Sequence, residues 1–347
     1  MRYNDDAELD ASEVTDARGE GGGGSAGFGG GFGGGGGGGM GGGLLPLLLG
    51  LLFRGRSGKV SWVLIVVVVV GFLAFQFLGG GTGSTTNSTG SSVTGGFGQP
   101  GGPAVAGTSQ LASTCRTGAD ANRNPDCAIV ADINSIQAYW TGGGYAAVAP
   151  TVRGAQPRYT NVDTKFFTGT VNTRCGSADS SAGPFYCPAD DLVYIDLSFY
   201  DQLRQQFGAQ GGGLTNAYVL AHEYGHHVQD LLGTEAAVRT RQGATSDSVR
   251  LELQADCYAG VWMNHAAQPA AGRPAFFTEI TQADLDGAID AAQRIGDDYI
   301  QGRLGGGTVD PDSFTHGTSA QRKKWLTTGY TTGDPTRCDT FRTNDLG

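Results

Sequence analysis

The sequence predicts an α+β fold, a mainly helical domain with a small β-sheet, preceded by one transmembrane helix. Three observations predict it. Residues 60–78 (VSWVLIVVVVVGFLAFQFL) carry no charge, several segments beyond residue 113 repeat apolar residues at helical spacing, and two β-branched and aromatic runs lie between those segments.

Composition divides the chain first. Of 347 residues 61 are glycine, many in runs near the N-terminus, where no packed core can form. Residues 1–58 are therefore expected to be a disordered, acidic and glycine-rich cytoplasmic segment, 59–78 a transmembrane helix, 79–112 a Gly/Ser/Thr-rich linker, and 113–347 one folded domain. The apolar run is about as long as a helix needs to be to cross a ~30 Å hydrocarbon layer at ~1.5 Å per residue. A cleaved signal peptide fits less well, because too much chain precedes the run and its apolar core is too long. Arg54, Arg56 and Lys59 precede it and no basic residue follows until Arg116, which places the N-terminus in the cytoplasm and the domain outside. Residues 44–53 (LLPLLLGLLF) contain Pro46 and Gly50 and are too short to span, so they read as interfacial; a second span there would invert the topology. A net charge of −10 with no concentrated basic surface excludes a nucleic-acid partner.

Cys115, Cys127, Cys175, Cys187, Cys257 and Cys338 all follow the apolar run and contain no Cys-x-x-Cys pair, which favours disulfides over thiolate metal ligation. Of the fifteen possible pairings, the local ones are expected, Cys115 with Cys127 and Cys175 with Cys187, leaving Cys257 for Cys338.

Within the domain, Ile129, Ile133, Ile136 and Trp140 mark one core helix, and residues 197–207 mark a second that ends at Gly208. The runs KFFTGTV and DLVYIDL supply the small sheet. Residues 214–233 (LTNAYVLAHEYGHHVQDLLG) form a third helix, with Thr215 and Asn216 as N-cap candidates and Gly233 as the C-cap. Residues 247–262 (DSVRLELQADCYAGVW) form a fourth, whose Ala255 and Ala259 permit close packing. Leu285, Ile289, Ala292 and Ile295 mark a further core helix over residues 281–299.

The third helix carries the chemistry. His222 and His226, four residues apart, project from one face close enough to bind one metal ion, and Glu223 lies beside them. This His-Glu-x-x-His spacing suits hydrolysis: two neutral nitrogens fix Zn²⁺, and the carboxylate takes a proton from the attacking water. Glu252 on the fourth helix completes a His₂Glu site, although another helix residue or a later histidine could supply that ligand. Asp256, one turn on, is placed to accept a hydrogen bond from a ligating imidazole. His227 points about 100° away around the helix and reads as a packing or hydrogen-bonding residue, and His265 reads as a helix C-cap. His316, just before a Ser/Thr-capped helix start, is a candidate catalytic donor to the oxyanion of a tetrahedral intermediate, with Arg322 and Tyr258 as weaker candidates.

The segments YVLAHEYGHHVQ, LELQADCYAGVW, FYCPADDLVYIDLSFYDQL and SFTHGTSAQRKKWL resemble the neutral zinc metallopeptidase family over roughly residues 113–342. The resemblance implies a zincin-like domain of the gluzincin kind, similar at His222, Glu223, His226, Glu252 and Asp256 to a His-Glu-x-x-His motif followed by Glu-x-x-x-Asp. It also casts DLVYIDL as the strand edge that pairs with an extended peptide. A looser similarity, to membrane-associated peptidases with a later Thr-His-x-x-Ser/Thr segment, favours His316, although Gly317 stands where proline often follows.

The expectation is a membrane-anchored endopeptidase with one catalytic Zn²⁺ and Glu223 as general base, acting on extracytoplasmic peptide or protein substrates. A zinc-stabilised peptide-binding module that does no chemistry is the alternative from another class, against which the retained Glu223 argues. A zinc hydrolase of a non-peptide envelope component is the third reading.

Overall fold

The computed structural model describes residues 1–18, 108–151, 157–269 and 274–347. Two short strands, β1 (Arg2–Tyr3) and β2 (Val14–Asp16), come first. Helix α1 (Pro125–Tyr139) follows, with the Asn124 side chain capping the Asp126 amide and Pro125 in the first turn, where its missing N–H costs nothing. Strands β3 (Asp163–Phe167), β4 (Thr170–Thr173), β5 (Gly176–Asp179), β6 (Phe185–Cys187) and β7 (Leu192–Asp196) form the sheet region. Helices α2 (Phe199–Gln205), α3 (Gly213–Leu232) and α4 (Asp247–His265) come next, then β8 (Phe277–Glu279), α5 (Gln282–Arg294) and α6 (Ser319–Thr332).

The central helices are α3 and α4, buried on almost every side. The two approach closely at the level of the histidines, since a Cβ on Gly225 would lie 3.1 Å from the Ala255 backbone. On its other side α4 meets α6 through a reciprocal pair of glycines. A Cβ on Gly260 would lie 2.1 Å from the Leu326 carbonyl oxygen, and one on Gly329 would lie 2.0 Å from that of Cys257. Gly329→Ala is therefore expected to force the helices apart at a cost of roughly 3 kcal/mol and to lower Tm by roughly 5–10 °C in a thermal melt.

The main sheet runs in the order β2-β3-β7-β6, with β2, β3 and β7 parallel and β6 antiparallel to β7. KFFTGTV, which reads as one run, is split between β3 and β4 by Gly169, whose φ of +77° turns the chain. Helix α3 begins after Gly212 and not at Thr215 or Asn216, while Gly233 closes it in the left-handed conformation. The helix expected over residues 281–299 ends at Arg294, and the chain turns there so that Asp297 faces the loop carrying His316. All three disulfides join the expected partners: Cys115–Cys127, Cys175–Cys187 and Cys257–Cys338.

The N-terminus departs from expectation. Residues 1–18 belong to the folded domain: β1 pairs antiparallel with β8, β2 pairs with β3, and Tyr3, Ala11 and Val14 enter the core. The segment looked disordered because it is acidic and its strands are only two and three residues long, so their pairing depends wholly on residues far along the chain. The linker expected over 79–112 also ends earlier, since a helix starts at Thr108 and buries Leu111 completely. The apolar runs 44–53 and 60–78 lie outside the described residues, and among those described no helix is long and apolar enough to cross a membrane.

Candidate metal centre

On α3, one helical turn separates His222 from His226, and α4 lays Glu252 across both. The His222 Nε2 lies 3.1 Å from Glu252 Oε2 and the His226 Nε2 lies 3.5 Å from Oε1. One ligand atom from each residue falls within 4.8 Å of the others, and all three residues are buried. Around a tetrahedral ion with bonds of about 2.1 Å, ligands sit roughly 3.4 Å apart. Both the donor set and its spacing thus fit Zn²⁺.

The far nitrogens of both imidazoles are held. His222 Nδ1 bonds Asp256 Oδ1 at 2.9 Å, and that carboxylate also accepts from Arg322 Nε and Nη2, each at 2.9 Å, and from the Tyr218 hydroxyl at 2.7 Å. His226 Nδ1 bonds Gln229 Oε1 at 2.9 Å; the Gln229 amide donates to the Leu251 carbonyl at 2.7 Å and to Gln254 Oε1 at 3.0 Å. Gln254 in turn donates to the Cys338 carbonyl at 3.0 Å. With each Nδ1 donating, each Nε2 keeps its lone pair for a metal. Reading the sequence missed both glutamines; the available signal was Gln229 at i+3 from His226, on the same face. Gln229→Leu is expected to weaken Zn²⁺ binding by about 10–100-fold in a chelator-competition titration, with the helix intact by circular dichroism.

The two histidines differ electrostatically. Burial disfavours the charged form of both, but the carboxylates of Asp256 and Glu252 outweigh it at His222 and raise its pKa to about 10. At His226 burial prevails, with the pKa lowered to about 4. The site's proton therefore rests on His222, between two carboxylates, and metal binding has to release it. Burial likewise pushes Glu223 up to about 7, although the His222 charge opposes it. A carboxyl poised there is suited to taking and returning a proton near neutral pH.

The strand at the site is β6. Its Tyr186 amide donates to Glu223 Oε2 at 3.0 Å. The segment DLVYIDL, expected to be the free edge, forms β7 and is covered on both sides by β3 and β6. The Tyr186 hydroxyl donates to Asp230 at 3.1 Å and meets His227 Nδ1 at 3.1 Å, while His227 Nε2 bonds the Thr160 carbonyl at 2.8 Å. His227 thus ties β6 to α3. His265 bonds the Gly333 carbonyl at 2.8 Å, linking α4 to the end of α6 instead of capping its own helix.

His316 comes to the site from the loop before α6. Asp297 Oδ2 accepts three successive amides, those of Thr315, His316 and Gly317, at 2.7–2.8 Å. The Nδ1 of His316 faces the Thr315 hydroxyl at 2.8 Å and Asp297 Oδ1 at 3.4 Å. Burial lowers its pKa, but the nearby Glu252 charge and the Asp297 contact raise it further, so the net shift is upward. Arg322 is committed to Asp256, and Tyr258 packs edge-on against Trp140 in the core, so neither occupies the oxyanion role considered for it.

Comparison with known proteins agrees with this geometry. The chain is 47% identical over 239 residues to "Uncharacterized protein Rv2575" of Mycobacterium tuberculosis, covering 68% of this chain and 77% of that one. It is 50% identical over 181 residues to "Uncharacterized protein YpfJ" of Escherichia coli, covering 50% of this chain and 60% of that one. No solved structure matches it. The family described as "Putative neutral zinc metallopeptidase" matches residues 1–341, a span that takes in both the N-terminal strands and the histidine helix, and this chain belongs to that family.

Proposed function

We propose that the protein is a membrane-attached, zinc-dependent endopeptidase that hydrolyses extracytoplasmic peptides or proteins. The observation that carries this reading is the placement of Glu223 beside the His222–His226–Glu252 cluster and at the edge of β6. Zn²⁺ held by His222, His226 and Glu252 would polarise the scissile carbonyl and acidify the attacking water. Glu223 takes the proton of that water and passes it to the leaving amine. The Nε2 of His316 donates a hydrogen bond to the developing oxyanion, while Asp297 holds its loop. A purely structural metal site would need neither a buried general base nor an edge strand whose backbone meets that base.

An extended peptide beside β6 suits this arrangement, since the Tyr186 amide marks where backbone and base meet. Three disulfides support an oxidising compartment for the domain, and the apolar runs 44–53 and 60–78 together supply the membrane attachment. The test is a peptide library with the full chain in detergent. Cleavage that a chelator abolishes and one equivalent of Zn²⁺ restores is the expected result. Stoichiometric zinc with no cleavage across the library, denatured casein included, would overturn it.

A further inference from the structure

Residues 1–18 are tied into the domain along their whole length. The backbone of β2 pairs with β3 in register, Val14 with Thr164, Thr15 with Lys165 and Asp16 with Phe166. The Tyr3 hydroxyl donates to the buried Asp132 of α1 at 2.9 Å. Asn134 accepts from the Asp10 amide at 2.8 Å and donates to Glu13 at 2.6 Å, and Arg18 bridges Asp16 and Asp126 at 2.7 Å each. Tyr3 and Val14 are 6% and 1% exposed. Removing the segment would uncover the edge of β3 and leave Asp132 buried without its hydroxyl donor.

This packing constrains membrane topology. Paired strands lie ~4.8 Å apart, whereas a hydrocarbon core is ~30 Å thick, so strands of one sheet cannot sit on opposite faces of a bilayer. We infer that residues 1–18 share the compartment of the metal centre, so that residues 18 and 108 lie on the same side of any membrane. A single pass with a cytoplasmic N-terminus, the topology that the basic residues before 60–78 favour when read alone, makes one crossing and is incompatible with this fold.

Two measurements on the full chain test this, the first in intact cells and the second in isolated membranes. All six cysteines are in disulfides, so Ser12→Cys and Lys323→Cys, both at exposed positions, each create a single reactive thiol. A membrane-impermeant maleimide is expected to treat the two variants alike, labelling both before permeabilisation or both only after it. Labelling of one before and the other only after overturns the inference. In isolated membranes treated with an oxidant, the pair Thr15→Cys and Lys165→Cys, partners in register, is expected to cross-link within one chain, as read by peptide mass without reduction. Absence of that cross-link overturns the docking from which the shared compartment follows. Neither readout uses catalysis, so failure here is distinct from failure of the peptidase reading.

Discussion

Glu223→Gln is expected to lower kcat for peptide cleavage by about 10³-fold while leaving bound zinc at one equivalent. The substitution is isosteric, and the amide oxygen can still accept the Tyr186 N–H that now bonds Oε2. What it removes is the proton acceptor. The lost group is also a buried carboxylate whose pKa burial has already raised to about 7, so the variant should fold at least as stably as the parent. The check is kcat and KM on a cleaved peptide, together with zinc content and a thermal melt of the same preparations. A variant that retains most of its activity would remove Glu223 from the chemistry and return the base role to another group.

Asp256→Asn carries the largest expected structural effect. Asp256 is wholly buried and joins Arg322, Tyr218 and His222. Without its charge, Arg322, itself 2% exposed, keeps a guanidinium in the interior with no carboxylate, at a cost of roughly 3–5 kcal/mol. His222 loses the acceptor that orients it, so zinc affinity should fall by about 10–100-fold as well. The pH dependence has a definite sign. Burial raises the pKa of Asp256, but Arg322 and His222 overcome it and hold the group below the ordinary carboxylate range. A depressed folded-state pKa contributes stability that is present above the unfolded value of about 3.9 and is lost as pH falls through the folded value. Against the effect of burial, Asp256 also helps to raise the His222 pKa to about 10, so the stability gap between parent and variant should widen as pH falls to about 6.5 and narrow below about pH 4. Urea unfolding of the metal-free proteins across that range measures it.

The ligand helices were legible because their information is local. A four-residue spacing puts His222 and His226 on one face whatever surrounds them, and Glu252 with Asp256 repeats that spacing on the next helix. Disulfide partners were legible for a similar reason, since two of the three pairs close short loops. The identity of the site's edge strand was not local. DLVYIDL has the apolar character of a strand beside a core, and that same character places it inside the sheet, with the three-residue FYC of β6 at the border. Gln229 offered only its i+3 spacing from His226 and Gln254 offered no signal, because their role exists only where α3, α4 and the Cys338 backbone meet.

By itself, then, the sequence determined the helix that carries His222, Glu223 and His226, the companion helix with Glu252 and Asp256, and the oxidised cysteines, all through periodicity and spacing within single elements. Tertiary structure decided which strand faces the base, what holds each imidazole, how Asp297 fixes the His316 loop, and that residues 1–18 complete the sheet. Those are contacts between residues far apart in the chain. A two- or three-residue strand has too little pattern of its own to announce a partner, and only the exposed edge it covers in the folded domain gives it a place.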